Sequence, residues 1–496
     1  MTAEGANEGT SLRHATLTIV CALQFVLVLT NGSTTMALPS IKAGFDTSNA
    51  SLQWFAALFS LGFAVVLVLS GRLGDLFGTR RLLMIGFSAF LVSVALEAVS
   101  PTVWVLLIAR LLQGIAGGIT APQLSAMIQR TFAGHTRTRA FAVFLCISAG
   151  GFMVGQIGGG ALMSADPFGV GWRWAFLPVI PLAIIGWFLA RRHLPDPAPG
   201  ASGRLDIIGA SVLAVVSILV MFPLIQGRRV GWPVWIFLIL LAAIPVFAVF
   251  IAHERRIMRT GGDPLVNPEL FRVSSFRVGN LITVLVGLIS AAVPLYLILT
   301  VQLGFGRNAF EAALIAAPMP LANMGGSLLT STLLRKYGRV TVAVGALLVA
   351  VAAAAVLIDL ALDDYDVSVL TLVPGFVLLG FSLGISIAAT IAIVLSDVPE
   401  ESAGSAAGVQ ATGLQLSGAI GIAVYGVVFY GAIAGQTGLE PYLDGIKLVM
   451  WVAIGMALVQ ALLMFRLPKH TAREGGELPL ADPELLVVPD LHGEID

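Results

Sequence analysis

Charge is scarce in this 496-residue chain, where Asp, Glu, Lys and Arg make up only 11 % of residues against about 25 % in ordinary soluble domains. A water-soluble globular protein is excluded. Twenty-eight basic residues balance twenty-eight acidic ones, so no net field draws in nucleic acid. The two cysteines, Cys21 and Cys146, both lie in apolar runs, which leaves no disulfide framework and no CxxC metal pair. A P-loop phosphate cradle is also missing, so ATP does not drive the protein directly. The string Gly380-Phe381-Ser382-Leu383-Gly384 matches a hydrolase nucleophile elbow, but that motif needs a strand entering a helix and an exposed serine. Here it sits inside an apolar run, where Gly380 and Gly384 read as helix packing. No enzyme is expected.

What the chain has is long apolar runs: 57 % of its residues are hydrophobic, before 54 glycines are added. A hydrocarbon core about 30 Å thick needs about 20 helical residues to cross it, and runs of that kind lie near 15–38, 52–70, 82–99, 103–127, 140–163, 174–190, 207–226, 233–252, 276–301, 309–334, 340–360, 370–395, 404–431 and 445–465. These predict fourteen membrane-spanning helices. The first run is too long for a cleaved signal peptide and has only Arg13 before it, so it is expected to remain as a span. Even-numbered crossing puts both termini on one side, and the loops on that side hold 21 Lys and Arg residues. The alternate loops hold six: Lys42, Arg173, Arg228, Arg229, Arg307 and Lys447. The positive-inside rule then makes both termini cytoplasmic. Proline- and glycine-bearing connections at 191–204 and 253–276 bracket the seventh and eighth spans. The expected organisation is a tail over 1–14, a six-helix bundle over 15–190, a linker with two extra spans over 191–275, a second six-helix bundle over 276–466, and a disordered cytoplasmic tail over 467–496.

A faint repeat supports the two bundles. Leu73, Phe77 and Gly78, after the second span, correspond to Leu333, Tyr337 and Gly338 after the tenth, the pattern of a duplicated carrier with its site between the halves. The sharpest motif is Gly71-Arg72-Leu73-Gly74-Asp75-Leu76-Phe77-Gly78-Thr79-Arg80-Arg81. Its glycines permit close helix ends and a turn with positive φ, and Asp75 stands among three arginines. This loop resembles the one after the second helix of the major facilitator superfamily. The resemblance implies a conformational latch formed by Gly71, Asp75, Gly78, Arg80 and Arg81. Arg110, in Leu107-Ile108-Ala109-Arg110-Leu111-Leu112-Gln113-Gly114, resembles the family's fourth-helix arginine, which is tied to coupling. Gly151, Gly155, Gly159 and Gly160 in the fifth span form a small-residue face and are similar to the family's antiporter motif, with Gln156 where that motif has proline. The segments Trp172-Arg173-Trp174-Ala175-Phe176, read also as an aromatic belt at the outer interface, Asp206-Ile207-Ile208-Gly209, Asp263-Pro264-Leu265-Val266, Leu270-Phe271 and Ser405-Ala406-Ala407-Gly408 extend the likeness. Across nearly the whole chain it resembles the fourteen-helix drug:proton antiporters.

The fold class expected is therefore all-α and integral to the membrane: a major facilitator fold of two six-helix bundles plus two inserted helices. The function implied is secondary active export of drug-like or antibiotic molecules by alternating access, from a monomer in a bacterial cell membrane. The expected partners are a small-molecule substrate and the lipid bilayer. The alternative is an importer or uniporter of a small anionic or neutral metabolite. No cofactor is expected, the driving force implied being a proton gradient. Polar groups at membrane depth, which lipid would reject, nominate Thr30, Asn31, Thr34, Arg110, Gln113, Gln156, Asn280, Asn323, Gln410 and Gln415 as the substrate-binding set. One departure from the relatives stands out. In Leu29-Thr30-Asn31-Gly32-Ser33-Thr34-Thr35, Thr30 and Thr35 occupy the positions of the family's first-helix Asp and Asn. Glu97, Asp206, Glu311 and Asp359 fall at span ends, so no acid is expected near Arg110. Either the cavity keeps a positive charge and favours anionic or oxygen-rich molecules, or Arg110 spends its donors on Gln113, Thr34 or helix carbonyls.

Overall fold

The computed structural model describes residues 3–467 apart from 196–205, 261, 263, 267, 363–368, 399–402, 434–435 and 437. Within lipid a backbone must satisfy its own hydrogen bonds, and each apolar run does so as a helix. These are α1 (Ala3–Phe45), α2 (Asn49–Phe77), α3 (Thr79–Ala98), α4 (Val103–Thr131), α5 (Gly134–Ala165), α6 (Val179–His193), α7 (Ile207–Gln226), α8 (Val234–Arg259), α9 (Ser274–Leu299), α10 (Ala309–Ala316), α11 (Pro318–Tyr337), α12 (Val340–Leu362), α13 (Leu372–Leu395), α14 (Ala403–Ile433) and α15 (Leu439–Leu463). No strand occurs among the described residues. With α10 and α11 forming one crossing between them, fourteen segments among the described residues are long and apolar enough to span a membrane. Residues 468–496, which fall in the tail expected to be disordered, lie outside the described residues. The first helix outruns its apolar sequence: it continues through Pro39 to Phe45, and Asp46 then leaves the helix with φ of 46°.

Helix pairing repeats along the chain. In the first bundle α1 packs on α5, α2 on α4 and α3 on α4; in the second α9 packs on α14, α11 on α13 and α12 on α13. The loop repeat has a backbone counterpart. Gly78 and Gly338 each end a helix with positive φ, 89° and 55°, and their N–H groups close onto Gly74 and Leu334 carbonyls at 3.0 and 2.8 Å. Glycine sets how closely the partners meet. A Cβ at Gly155 would stand 2.8 Å from the Leu29 carbonyl carbon of α1, and one at Gly384 would stand 2.9 Å from the Asn323 carbonyl carbon of α11. Gly380 meets Met319 in the same way, so the nucleophile-elbow string is a helix seam.

The halves meet along two seams, α2 against α14 and α5 against α10 and α11. Their polar contacts lie at the end of the bundle remote from the termini. There Ser164 Oγ donates to Asn308 Oδ1 at 3.2 Å and accepts from the Phe310 N–H at 3.0 Å, while Gln302 reaches Met36 Sδ at 3.8 Å. The inserted pair sits outside: α7 packs on both α2 and α14, and α8 rests chiefly on α7. Asp206 caps α7 by accepting from the Gly209 N–H at 2.8 Å and pairs with His253 of α8 at 2.9 Å. Glu254 accepts from the Val266 N–H beyond α8 at 2.9 Å. The run 172–176 is an inward turn rather than a lipid-facing belt. Trp172 is buried, lies 5.2 Å from the Phe45 ring and carries the Arg173 guanidinium over its face.

Candidate functional site

A cavity of about 500 Å³ lies between the two bundles, bounded by α1, α2, α4 and α5 on one side and α9, α10, α11 and α14 on the other. Six of the ten residues nominated from sequence line it: Asn31, Thr34, Arg110, Gln156, Asn323 and Gln415. The lining also includes Thr35, Ser60 and Ser290, and an apolar wall containing Phe55, Phe59, Phe152 and Met319. The structure does not bring the other four into the lining. Thr30 is buried with its hydroxyl on the Val26 carbonyl at 2.7 Å, the backbone bond that threonine readily makes within a helix. Asn280 bonds the Phe276 carbonyl at 2.9 Å, near the start of α9. Gln410 is buried away from the cavity, and Gln113 is sealed behind Arg110.

Arg110 is the one charged side chain in that lining among the described residues. Its guanidinium lies over the Phe59 ring at 4.7 Å and the Phe55 ring at 5.1 Å, a favourable seat for a cation on aromatic faces. One nitrogen donates to Asn31 Oδ1 at 3.3 Å, and another donates to Gln113 Oε1. Gln113 Nε2 in turn donates to Glu97 Oε2 at 2.8 Å. Glu97 Oε1 comes within 3.9 Å of Arg110.

The expectation that Arg110 has no acid nearby is therefore overturned. Glu97 stands one residue before the end of α3, where a sequence reading places it at the membrane surface, yet it is fully buried. Helical side chains lean toward the N-terminus of their helix. On α3 that lean carries Glu97 inward, and on antiparallel α4 it carries Gln113 outward. The two meet although their backbones sit at different depths. With Glu97 ionised the pair cancels the formal charge of Arg110, so a permanently positive cavity no longer follows.

The family described as the Major Facilitator Superfamily matches residues 20–422. The chain belongs to that superfamily. A probable actinorhodin transporter of Streptomyces coelicolor is 32 % identical over 425 residues, covering 86 % of this chain and 74 % of that protein. The puromycin resistance protein pur8 of Streptomyces alboniger is 30 % identical over 464 residues, covering 90 % of each. Among solved structures, the POT family transporter PepTSo superposes with a TM-score of 0.68 over 90 % of this chain and 97 % of its own, at 14 % identity. That likeness concerns the fold alone. This major facilitator protein is a membrane transporter and not an enzyme. In its loop after α2, Gly78 provides the turn and Arg80 donates to the Arg191 carbonyl at the end of α6, at 2.5 Å. Arg81 is exposed. Gly71 lies within α2, and the side chain of Asp75 lies outside the described residues.

Proposed function

We propose that this major facilitator protein exports antibiotic-like small molecules across a bacterial cell membrane, with both termini cytoplasmic, by alternating access driven by a proton gradient. The observation that carries this reading is the cavity between the halves. Its volume falls in the range of drug-sized sites, and its apolar wall is set with a few amides and hydroxyls. The names of the relatives, a probable actinorhodin transporter and a puromycin resistance protein, support the same class of cargo. The 21-to-6 asymmetry of basic residues supports the orientation. In that orientation the contacts around Ser164, Asn308 and Gln302 close the external side, and the conformation faces the cytoplasm. Export then needs these seams to open as the cytoplasmic ends close, with the loop of Gly71, Asp75, Gly78, Arg80 and Arg81 latching one state.

The test is transport by purified full-length protein in liposomes under an imposed pH gradient, using puromycin, ethidium and an anionic dye. Gradient-dependent movement of at least one compound, in exchange for protons, supports the reading. Movement down the compound's own gradient alone would point to a uniporter, and co-movement with protons would point to an importer.

A further inference from the structure

Glu97, Gln113 and Arg110 form one hydrogen-bonded chain from the end of α3 to the cavity wall. A guanidinium can only donate, so the Gln113 oxygen must face Arg110 and its nitrogen must face Glu97. The amide is thus polarised between a cation and a carboxylate, and a change at either end is felt at the other. Glu97 Oε1 is buried and makes no hydrogen bond. The carboxyl lies beneath the turn at 99–102, where Ser100 Oγ donates to the Glu97 carbonyl at 2.8 Å and Arg173 donates to the Ser100 carbonyl at 3.2 Å. Charged groups on the elements packed against α3 are few. From α4 Arg110 faces Glu97, and the 171–175 turn contributes Arg173. The titratable residues of α2, Arg72 and Asp75, and those of α6, Arg191, Arg192 and His193, fall in the last two turns of their helices, at the opposite end.

We propose that Glu97 is the proton-binding group of this transporter, acting on the cavity through Gln113 and Arg110; the proposal rests on the exporter reading above. A proton from the external side joins Oε1 of the carboxylate and makes the neutral acid, with no other bond broken, and its release on the cytoplasmic side reverses the step. With Glu97 ionised, the Arg110 charge is compensated and a cationic compound meets no net repulsion in the cavity. With Glu97 protonated, Arg110 stands uncompensated beside the cavity, and the cation is driven out. Proton and cargo oppose each other by the same factor, since coupling between two sites is reciprocal.

The experiment measures ethidium binding to the purified full-length protein as a function of pH. The unaltered protein should bind more weakly as pH falls, by about 5- to 150-fold between the two plateaus. Glu97→Gln should bind at the weak level at every pH and lose gradient-driven ethidium accumulation, whereas Glu97→Asp should keep a pH dependence. Binding by Glu97→Gln with the slope of the unaltered protein would overturn the assignment and leave the exporter reading standing. So would gradient-driven transport of an anionic dye at the same rate by Glu97→Gln and the unaltered protein. If no compound moves under a gradient, both readings fall together. Should Glu97→Gln not fold, a hydrophobic carbodiimide, which attacks protonated carboxyls, is applied to the unaltered protein. Modification at Glu97 that rises with acidity and falls with bound ethidium is expected, and its absence at every pH overturns the proposal.

Discussion

Two glycines three residues apart on α5 offer a matched test of how the first bundle is held. At Gly155 an added Cβ would stand 2.8 Å from the Leu29 carbonyl carbon and 2.9 Å from Leu29 Cα, with the carbonyl oxygen nearer still. These are backbone atoms and cannot swing aside. Restoring the ~3.5–4.0 Å separation of carbon atoms forces α1 and α5 apart by about 1 Å, which also stretches the 2.9 Å bond from Ser33 Oγ to the Gly155 carbonyl. Overpacking of this kind costs about 1–3 kcal/mol, while glycine to alanine within a helix returns about 0.5–1 kcal/mol. Gly155→Ala should therefore destabilise by about 1–2 kcal/mol. At Gly158 nothing lies within 4 Å of the added Cβ, so Gly158→Ala should be neutral or stabilising by about 0.5–1 kcal/mol. Thermal midpoints of the purified variants in detergent, followed by size-exclusion fluorescence, give the ordering. Transport should fall with Gly155→Ala as well, because Asn31 and Thr34 of α1 and Gln156 of α5 share the cavity wall. Equal midpoints for the two variants would refute the claim that backbone contact at Gly155 holds these helices.

Arg110→Gln leaves Glu97 buried without its cation, which costs about 3–5 kcal/mol; adding Glu97→Gln should restore most of it, and a double variant no more stable than the single one would show that the pair is not coupled. In a chain lacking Cys21 and Cys146, an impermeant thiol reagent applied to whole cells should label Pro101→Cys and spare Thr260→Cys, and the reverse pattern would overturn the orientation. Asp206→Ala should cost about 0.5–2 kcal/mol through loss of the α7 cap, read as a lower thermal midpoint. Burial pushes the Asp206 carboxyl up, but the Gly209 N–H, His253 and Glu254 outweigh it and hold the group below its ordinary 3.8. Its contribution is thus present above that value and is lost as pH falls through the lower folded one; a midpoint difference between Asp206→Ala and the unaltered chain that persists at full strength in strong acid would contradict this.

Span number and type were legible because lipid leaves an apolar run little choice but a helix, and the fourteen runs carry nearly all of the chain's organisation. Gly380 and Gly384 were legible for a similar reason: spacing of four puts both on one face, whatever the neighbour. The partner of Arg110 was not. Position along a run gives the depth of a Cα, and Glu97 has its Cα at the end of α3; the few ångströms by which its side chain leans inward decide its chemistry. The signal that could have found it is the opposed lean of antiparallel neighbours joined by the short 99–102 turn. Facing was the other gap. Thr30 and Asn31 are adjacent in sequence and equally polar, yet only Asn31 lines the cavity, because a helix turns about 100° per residue and the packing of α5 on α1 selects which side is left open.

The seat of α7 makes the molecule lopsided as seen from the surrounding lipid. A carrier of two equivalent halves has two flanks where hydrocarbon tails can press between them. Here the flank formed by α2 and α14 is roofed by α7, with α8 standing outboard of it, while among the described residues no such helix roofs the flank formed by α5 with α10 and α11. The two flanks therefore present unlike surfaces to the bilayer, one covered by an added helix and the other formed by the packed α5, α10 and α11 themselves. Any motion that parts α2 from α14 must also move α7 against at least one of them, since α7 packs on both.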